Sequence, residues 1–189
     1  TVKVSCVPSL ALEWITPALP RFLALNPDVS VTVFAEMHDL DRSRMAMEGV
    51  DVAIRYGPQP PRGAPVVYTV PEFTFPVASP KLRSQMTSAD NPGIVTILHD
   101  AMPWEGAASE TVEWSGWIDH HGVPYGGRRR DVFFNLAQLA YRSAIEGVGL
   151  AIGRGLVVDR YMRQQRLVPA TAIAPMQIHN YYVSARSEA

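Results

Sequence analysis

The stretch CVPSLALEWITPAL, Cys6 to Leu19, sets a small hydroxyl residue where an apolar strand gives way to a helix. A serine at a helix start can accept a hydrogen bond from one of the unpaired backbone N–H groups of the first turn. Those same groups, at the positive end of the helix dipole, can hold a carboxylate or another anion. Ser9, with Leu10 beside it, therefore carries two chemistries, capping and anion capture. Arg55 in AIRYG offers a planar fork suited to a carboxylate, and Tyr56 follows it. Strand alternation sets Arg55 opposite to Val52 and Ile54, so it either meets a ligand or lies under a helix layer beside a neighbouring acid.

Covalent and metal chemistry find less support. Ser, His and Asp are all present, but there is no G-x-S-x-G elbow, and Ser9 is not followed by the glycine that oxyanion geometry wants. His120 and His121 are adjacent, so on a helix they point about 100 degrees apart and do not readily share an ion. His99-Asp100 is a single pair without a third ligand, and acid–base work by Asp100, Glu105 and Glu110 would need positions that the sequence leaves open. No enzyme, metal or cofactor is expected. GVGLAI lacks the glycine spacing of a dinucleotide loop; Gly147 and Gly149 are read as ending a helix and letting the next strand start tightly.

The totals narrow the class. The 189 residues are 47% hydrophobic and 19% charged, enough for a real core in one domain or two small ones. Seventeen Lys and Arg against eighteen Asp and Glu leave a net charge of -1, so any contact with DNA would fall to another segment. The single cysteine, Cys6, excludes an internal disulfide framework, reads as a buried small hydrophobe and fits a cytoplasmic location. No stretch approaches the roughly 20 apolar residues of a membrane helix. The abrupt start in a strand suggests a fragment.

Val2 to Val7, Val29 to Ala35 and Val50 to Tyr56 read as strands, and Leu10 to Leu25 and Asp39 to Met47 as helices, a βαβαβ order that signals a parallel sheet. Pro17 and Pro20 predict a kink or a restart of the first helix, with Thr16 as cap. Strands are expected at Val66 to Val70 and Phe73 to Ala78, the second leading to a cap-plus-proline helix start at Ser79-Pro80. A second α/β unit follows: strand Ile94 to Leu98, helix Thr111 to His121, strand Asp131 to Phe134, helix Leu136 to Glu146, strand Leu150 to Gly153 and helix Leu156 to Gln164. The final strand, YYVSAR, is placed back in the first sheet. Trp114 and Trp117 share a helix face and suit a core, whereas Trp104 suits either core or the wall of a ligand cleft. The run Arg128 to Arg130 is read as a solvated cluster.

The series PSLALEWITPALPRFLALNPDVSVTV, GVDVAIRYG, FPVASPKL, AIEGVGLAIGR and YYVSAR resembles, in that order and over nearly the whole chain, the effector-binding domain of LysR-type transcriptional regulators. It is most similar to the subgroup of glycine-cleavage and β-lactamase gene activators. The resemblance implies an α/β fold of two Rossmann-like lobes joined by two crossover strands, like type 2 periplasmic binding proteins. Residues 1–74 with 179–189 would form lobe I, residues 75–178 lobe II, and a small-molecule cleft would lie between them. It also implies a homodimer, a tetramer at full length, and DNA contact only through a winged helix-turn-helix absent from this chain. Open α/β sheets bind ligands beyond the carboxyl ends of their strands. The resemblance implies that Asn135 and Tyr181 line the cavity; with them, the expected effector site comprises Ser9, Leu10, Met37, Arg55, Tyr56, His99 and Asp100, and the effector is expected to be small and carboxylate-bearing. Asn135 suits a plain helix cap as well. A stand-alone solute-binding receptor feeding a transporter would share this fold.

Overall fold

The computed structural model describes residues 1–86, 93–123 and 128–186. The chain runs β1 (Val2–Cys6), α1 (Pro8–Leu10), a π-type turn (Ala11–Ile15), α2 (Thr16–Leu25), β2 (Val31–Ala35), α3 (Arg42–Glu48) and β3 (Val52–Gly57). It continues with β4 (Val66–Ala78), α4 (Pro80–Met86), β5 (Ile94–Asp100), α5 (Val112–His121), β6 (Arg128–Phe134) and α6 (Ala137–Ile145). The last elements are β7 (Leu150–Arg154), α7 (Gly155–Arg163), β8 (Val168–Pro169) and β9 (Met176–Ala185). Two compact units result, Thr1–Glu72 with the chain from His179 onward, and Phe73–Ile178. Both β4 and β9 contribute residues to each unit.

In the first unit β2, β1 and β3 are parallel neighbours, and β9 closes the sheet antiparallel to β3, pairing Arg55 with Tyr182 and Tyr56 with Tyr181. The return of the last strand to the first sheet is as expected. Leu40, Met45, Val50 and Ala53 form a buried cluster on one side. In the second unit β7 runs antiparallel to β4 and parallel to β5, and β5 runs parallel to β6. Trp114 and Trp117 are both buried there with Val95, Ile97, Leu150 and Ile152, and the Trp114 indole donates to the Leu98 carbonyl at 3.0 Å.

Residue order explains where helices begin. At Ser79-Pro80 the serine precedes the proline, so Ser79 Oγ accepts from the Leu82 amide at 3.2 Å and Pro80 opens the helix. At Pro8-Ser9 the order is reversed. Pro8 takes the first helical position, Val7 becomes the cap residue, no side-chain capping bond forms, and Ser9 falls one place inside the helix. The expected cap role of Ser9 is thereby corrected. The expected break in the first helix is present as the π-type turn, and α2 begins with Pro17 in its first turn, but the cap position falls on Ile15 and not on Thr16. The Thr16 amide and hydroxyl both reach back to the Ala11 carbonyl, the hydroxyl at 2.8 Å, and this widened turn carries the chain into Pro17, which has no N–H to offer.

Three strand boundaries also differ. The expected pair at 66–70 and 73–78 is one thirteen-residue strand, because the φ of Pro71 suits extended backbone and only one donor is lost. β5 continues two residues past Leu98, so His99 and Asp100 lie on the strand, opposite Phe133 and Phe134. β6 begins at Arg128, with its three arginines exposed as expected and Arg130 donating to Thr96 Oγ1 at 2.8 Å.

Gly147 ends α6 with φ +81°, while Gly149 packs so closely on β5 that a Cβ would overlap the Thr96 carbonyl oxygen and lie 2.9 Å from its carbonyl carbon. Gly149→Ala should therefore cost about 1–3 kcal/mol by overpacking. Gly116→Ala, in the middle of α5 with only Ile178 at 3.8 Å, should be neutral or gain about 0.5–1 kcal/mol. Urea unfolding midpoints check this, and equal midpoints for the two variants would contradict it.

Candidate functional site

The carboxyl end of the first sheet is organised by Arg55. It sits on β3, 3% exposed, and its guanidinium donates from Nε to the His38 carbonyl (2.8 Å), from Nη1 to the Ser5 and Ile54 carbonyls (3.0 Å each) and from Nη2 to Ser5 Oγ (2.8 Å). Ser5 Oγ in turn donates to Glu36 Oε2 at 3.1 Å. The guanidinium is thus tied to three backbone carbonyls and to the Ser5 hydroxyl, which links it to Glu36.

Around this hub lie the other expected residues of the first unit. Ser9 and Leu10 are buried directly after β1, where Ala11 donates back to the Val7 carbonyl at 3.0 Å. Met37, half-buried, follows Glu36, whose amide donates to the Cys6 carbonyl at 2.9 Å. Tyr56 and Tyr181 are paired across β3 and β9 with ring centroids 5.2 Å apart, and His179 meets the Tyr56 ring edge-on at 5.5 Å. These residues gather where β1, β2 and β3 end.

In the second unit His99 and Asp100 stand on opposite faces of one strand and have different partners. His99 Nε2 lies 2.7 Å from Asp131 Oδ1, and the ring stacks on Phe133 at 4.6 Å. Burial holds the His99 pKa below its usual value, against the pull of Asp131. A neutral ring that donates from Nε2 leaves Nδ1 as an acceptor, and this buried atom has no hydrogen-bond partner among the described residues.

Asp100 accepts from Arg154 Nη2 at 2.7 Å, and Glu113 takes Arg154 Nε and Nη2 at 2.9 and 3.0 Å. Two buried acids thus share one cation, and burial raises the Asp100 pKa in spite of Arg154. A cavity of about 10 Å³ beside them, lined by His99, Asp100, Thr111, Glu113 and Tyr141 among others, has room for about one water. Asn135 is exposed and is not a helix cap: Leu136 occupies that place, without a side-chain capping bond, because the helix starts one residue later than the sequence pattern suggests.

Sequence reasoning missed Arg154 and Glu113. The signal was there, since Arg154 ends the strand LAIGR much as Arg55 stands near the end of AIRYG. It also missed that Ser5 relays Arg55 to Glu36, which no spacing announces.

Compared with known families, a model of the LysR substrate binding domain matches residues 1–189. The chain belongs to the LysR substrate-binding-domain family. Over 186 residues it is 28% identical to the HTH-type transcriptional regulator DsdC of Escherichia coli K12, covering 96% of this chain and 58% of that protein. Over 170 residues it is 27% identical to the E. coli K12 glycine cleavage system transcriptional activator, covering 88% and 52%. It thus spans little more than half the length of these relatives, both of them transcriptional regulators by name. The effector-binding domain of AmpR from Citrobacter freundii shares the LysR-type fold, with a TM-score of 0.72 at 19% identity over 98% of this chain and 88% of that one. The expected two-lobed, periplasmic-binding-protein-like α/β class is thereby established. Among the described residues, no helix is long and apolar enough to cross a membrane.

The depressed His99 pKa has a consequence for stability. The unfolded chain takes up this proton first, so the stability that neutral His99 contributes is complete above the usual histidine pKa of 6.5 and is lost as pH falls below it. Urea midpoints at about pH 7.5 and about pH 5.5 should differ more for the native chain than for His99→Gln. Identical pH slopes would remove this role.

Proposed function

We propose that this chain is the effector-sensing part of a LysR-type transcriptional regulator acting in the cytoplasm, that it takes a small carboxylate-bearing metabolite, and that it works with DNA-binding segments outside it. One observation carries the carboxylate: the helix start at Pro8. Val7 supplies no side-chain cap and Pro8 no N–H, so the Ser9 and Leu10 amides, beside the Ser9 hydroxyl, stand at the positive end of a helical run at the carboxyl end of β1. Met37, Tyr56 and Tyr181 of the first unit complete the proposed contacts. Arg55 enters as a positioning residue that holds the strand ends in place. Binding would favour one of two arrangements of the protein and so reach the operator. Similarity to the glycine cleavage activator supports a place in that subgroup, and a transporter receptor finds no support among the relatives above.

We further infer a homodimer through the first helix, with a tetramer at full length. Trp14 and Phe22 are 49% and 42% exposed, and an apolar hollow of about 310 Å³ runs between them and Val2, Val4 and Val31. A double variant, Trp14→Glu with Phe22→Glu, should sediment as a monomer under conditions where the native chain is a dimer. A native chain that is monomeric at every concentration would count against this contact.

A thermal-shift screen of small metabolites tests the sensing role. A true effector at about 100 times its Kd should stabilise the native chain by about 2.7 kcal/mol, and Ser9→Ala measurably less. Equal stabilisation of both would leave Ser9 without a contact, and a best ligand lacking any anionic group would sink the carboxylate reading.

A further inference from the structure

We propose that Glu36, His38 and Glu48 form a binding site for a divalent transition-metal ion in the first unit. One carboxylate oxygen from each glutamate and a ring nitrogen of His38 all lie within 4.8 Å of one another. His38 Nε2 is 3.2 Å from Glu48 Oε2, a contact in which a metal ion can take the place of the shared proton. The side chains of His38 and Glu48 are 32% and 31% exposed, which leaves a path for entry and a position for water.

Two of the three ligands are held by groups behind them. Arg55 Nε fixes the His38 carbonyl at 2.8 Å and so the backbone that carries the imidazole. Arg55 Nη2 holds Ser5 Oγ, and that hydroxyl donates to Glu36 Oε2, which fixes the carboxylate while leaving it lone pairs for an ion. Such outer partners orient ligands and strengthen metal binding. Glu48 arrives on the last turn of α3, a helix anchored at one end by Asp41, which accepts from the Arg44 amide at 2.8 Å, and ended at Gly49 with φ 68°. The ligand atoms would close by about 1 Å to meet bonds of about 2.0–2.2 Å, a movement within reach of part-exposed side chains.

The donor set selects the ion. Two carboxylates and one imidazole, without a thiolate, suit Zn²⁺ or Mn²⁺ rather than Cu⁺, with Zn²⁺ the tighter of the two. Arg44 is the resident competitor, its Nε 3.6 Å from Glu48 Oε1, and it has the Asp39 carbonyl at 3.3 Å as an alternative partner when an ion displaces it. The sequence conceals this site because its ligands straddle a strand exit and a helix end, twelve positions from first to last.

Titration calorimetry of the chelator-stripped chain with ZnCl₂ and with MnCl₂, with no effector present, tests the site. The native chain should take about one equivalent of Zn²⁺, more tightly than Mn²⁺. His38→Ala and Glu48→Gln should each weaken Zn²⁺ binding at least about tenfold. Arg44→Gln should tighten it, and a double variant, His120→Ala with His121→Ala, should leave it unchanged. Folded ligand variants with native affinity, no Zn²⁺ heat at all, or loss of binding in the His120/His121 variant would overturn the assignment. Should the ligand variants fail to fold, Arg44→Gln decides: tighter binding upholds the site, and unchanged or weaker binding overturns it.

Discussion

A buried guanidinium has to be satisfied where it stands, and the carboxyl end of the first sheet is arranged around that requirement. Arg55 is nearly without solvent, so its desolvation, several kcal/mol for an ion of this kind, is offset only by well-aimed acceptors. Those acceptors come from three places in the chain: the end of β1 at Ser5, the turn after β2 at His38, and its own strand at Ile54. Satisfying one side chain thus sets the spacing of three strand exits, and Ser9, Met37 and Tyr56 take their positions from it. Removal of the cation would take away the group that ties these carbonyls together, and its replacement by lysine would lose the fork that reaches them at once.

The second unit meets the same kind of requirement with opposite electrostatics. Arg154 is as deeply buried, but its partners include the carboxyl groups of Asp100 and Glu113. Burial drives Asp100 towards its protonated form while Arg154 restrains it. Here the strand end is locked by charge, whereas in the first unit it is locked by neutral carbonyls. Two strands of similar sequence, AIRYG and LAIGRG, therefore end in differently responsive surroundings.

The alternation of strands and helices and the core role of Trp114 and Trp117 were legible because each rests on local periodicity or on a pattern of apolar runs, and the return of YYVSAR to the first sheet because that strand lies too far from a helix partner in the second unit. The Ser79-Pro80 start was legible for the same reason: cap and proline are neighbours in sequence. Pro8-Ser9 misled because the same two residues in the other order place the serine inside the helix, a difference of one position that composition does not express. The reach of β5 through Asp100 depended on pairing with β6, and the fate of Arg55 depended on Ser5, fifty residues away. Long-range satisfaction of buried polar groups has no period, so a single sequence carries little trace of it.

Cys6 lies fully buried in β1, and burial pushes its thiol up to about 11. At neutral pH almost none of it is thiolate, the form that reacts. The native sequence should thus behave towards maleimides and spin labels as if it had no cysteine. A reporter cysteine added on either unit can carry a dye selectively, so distance changes between labelled positions could be followed without first removing the native sulfur.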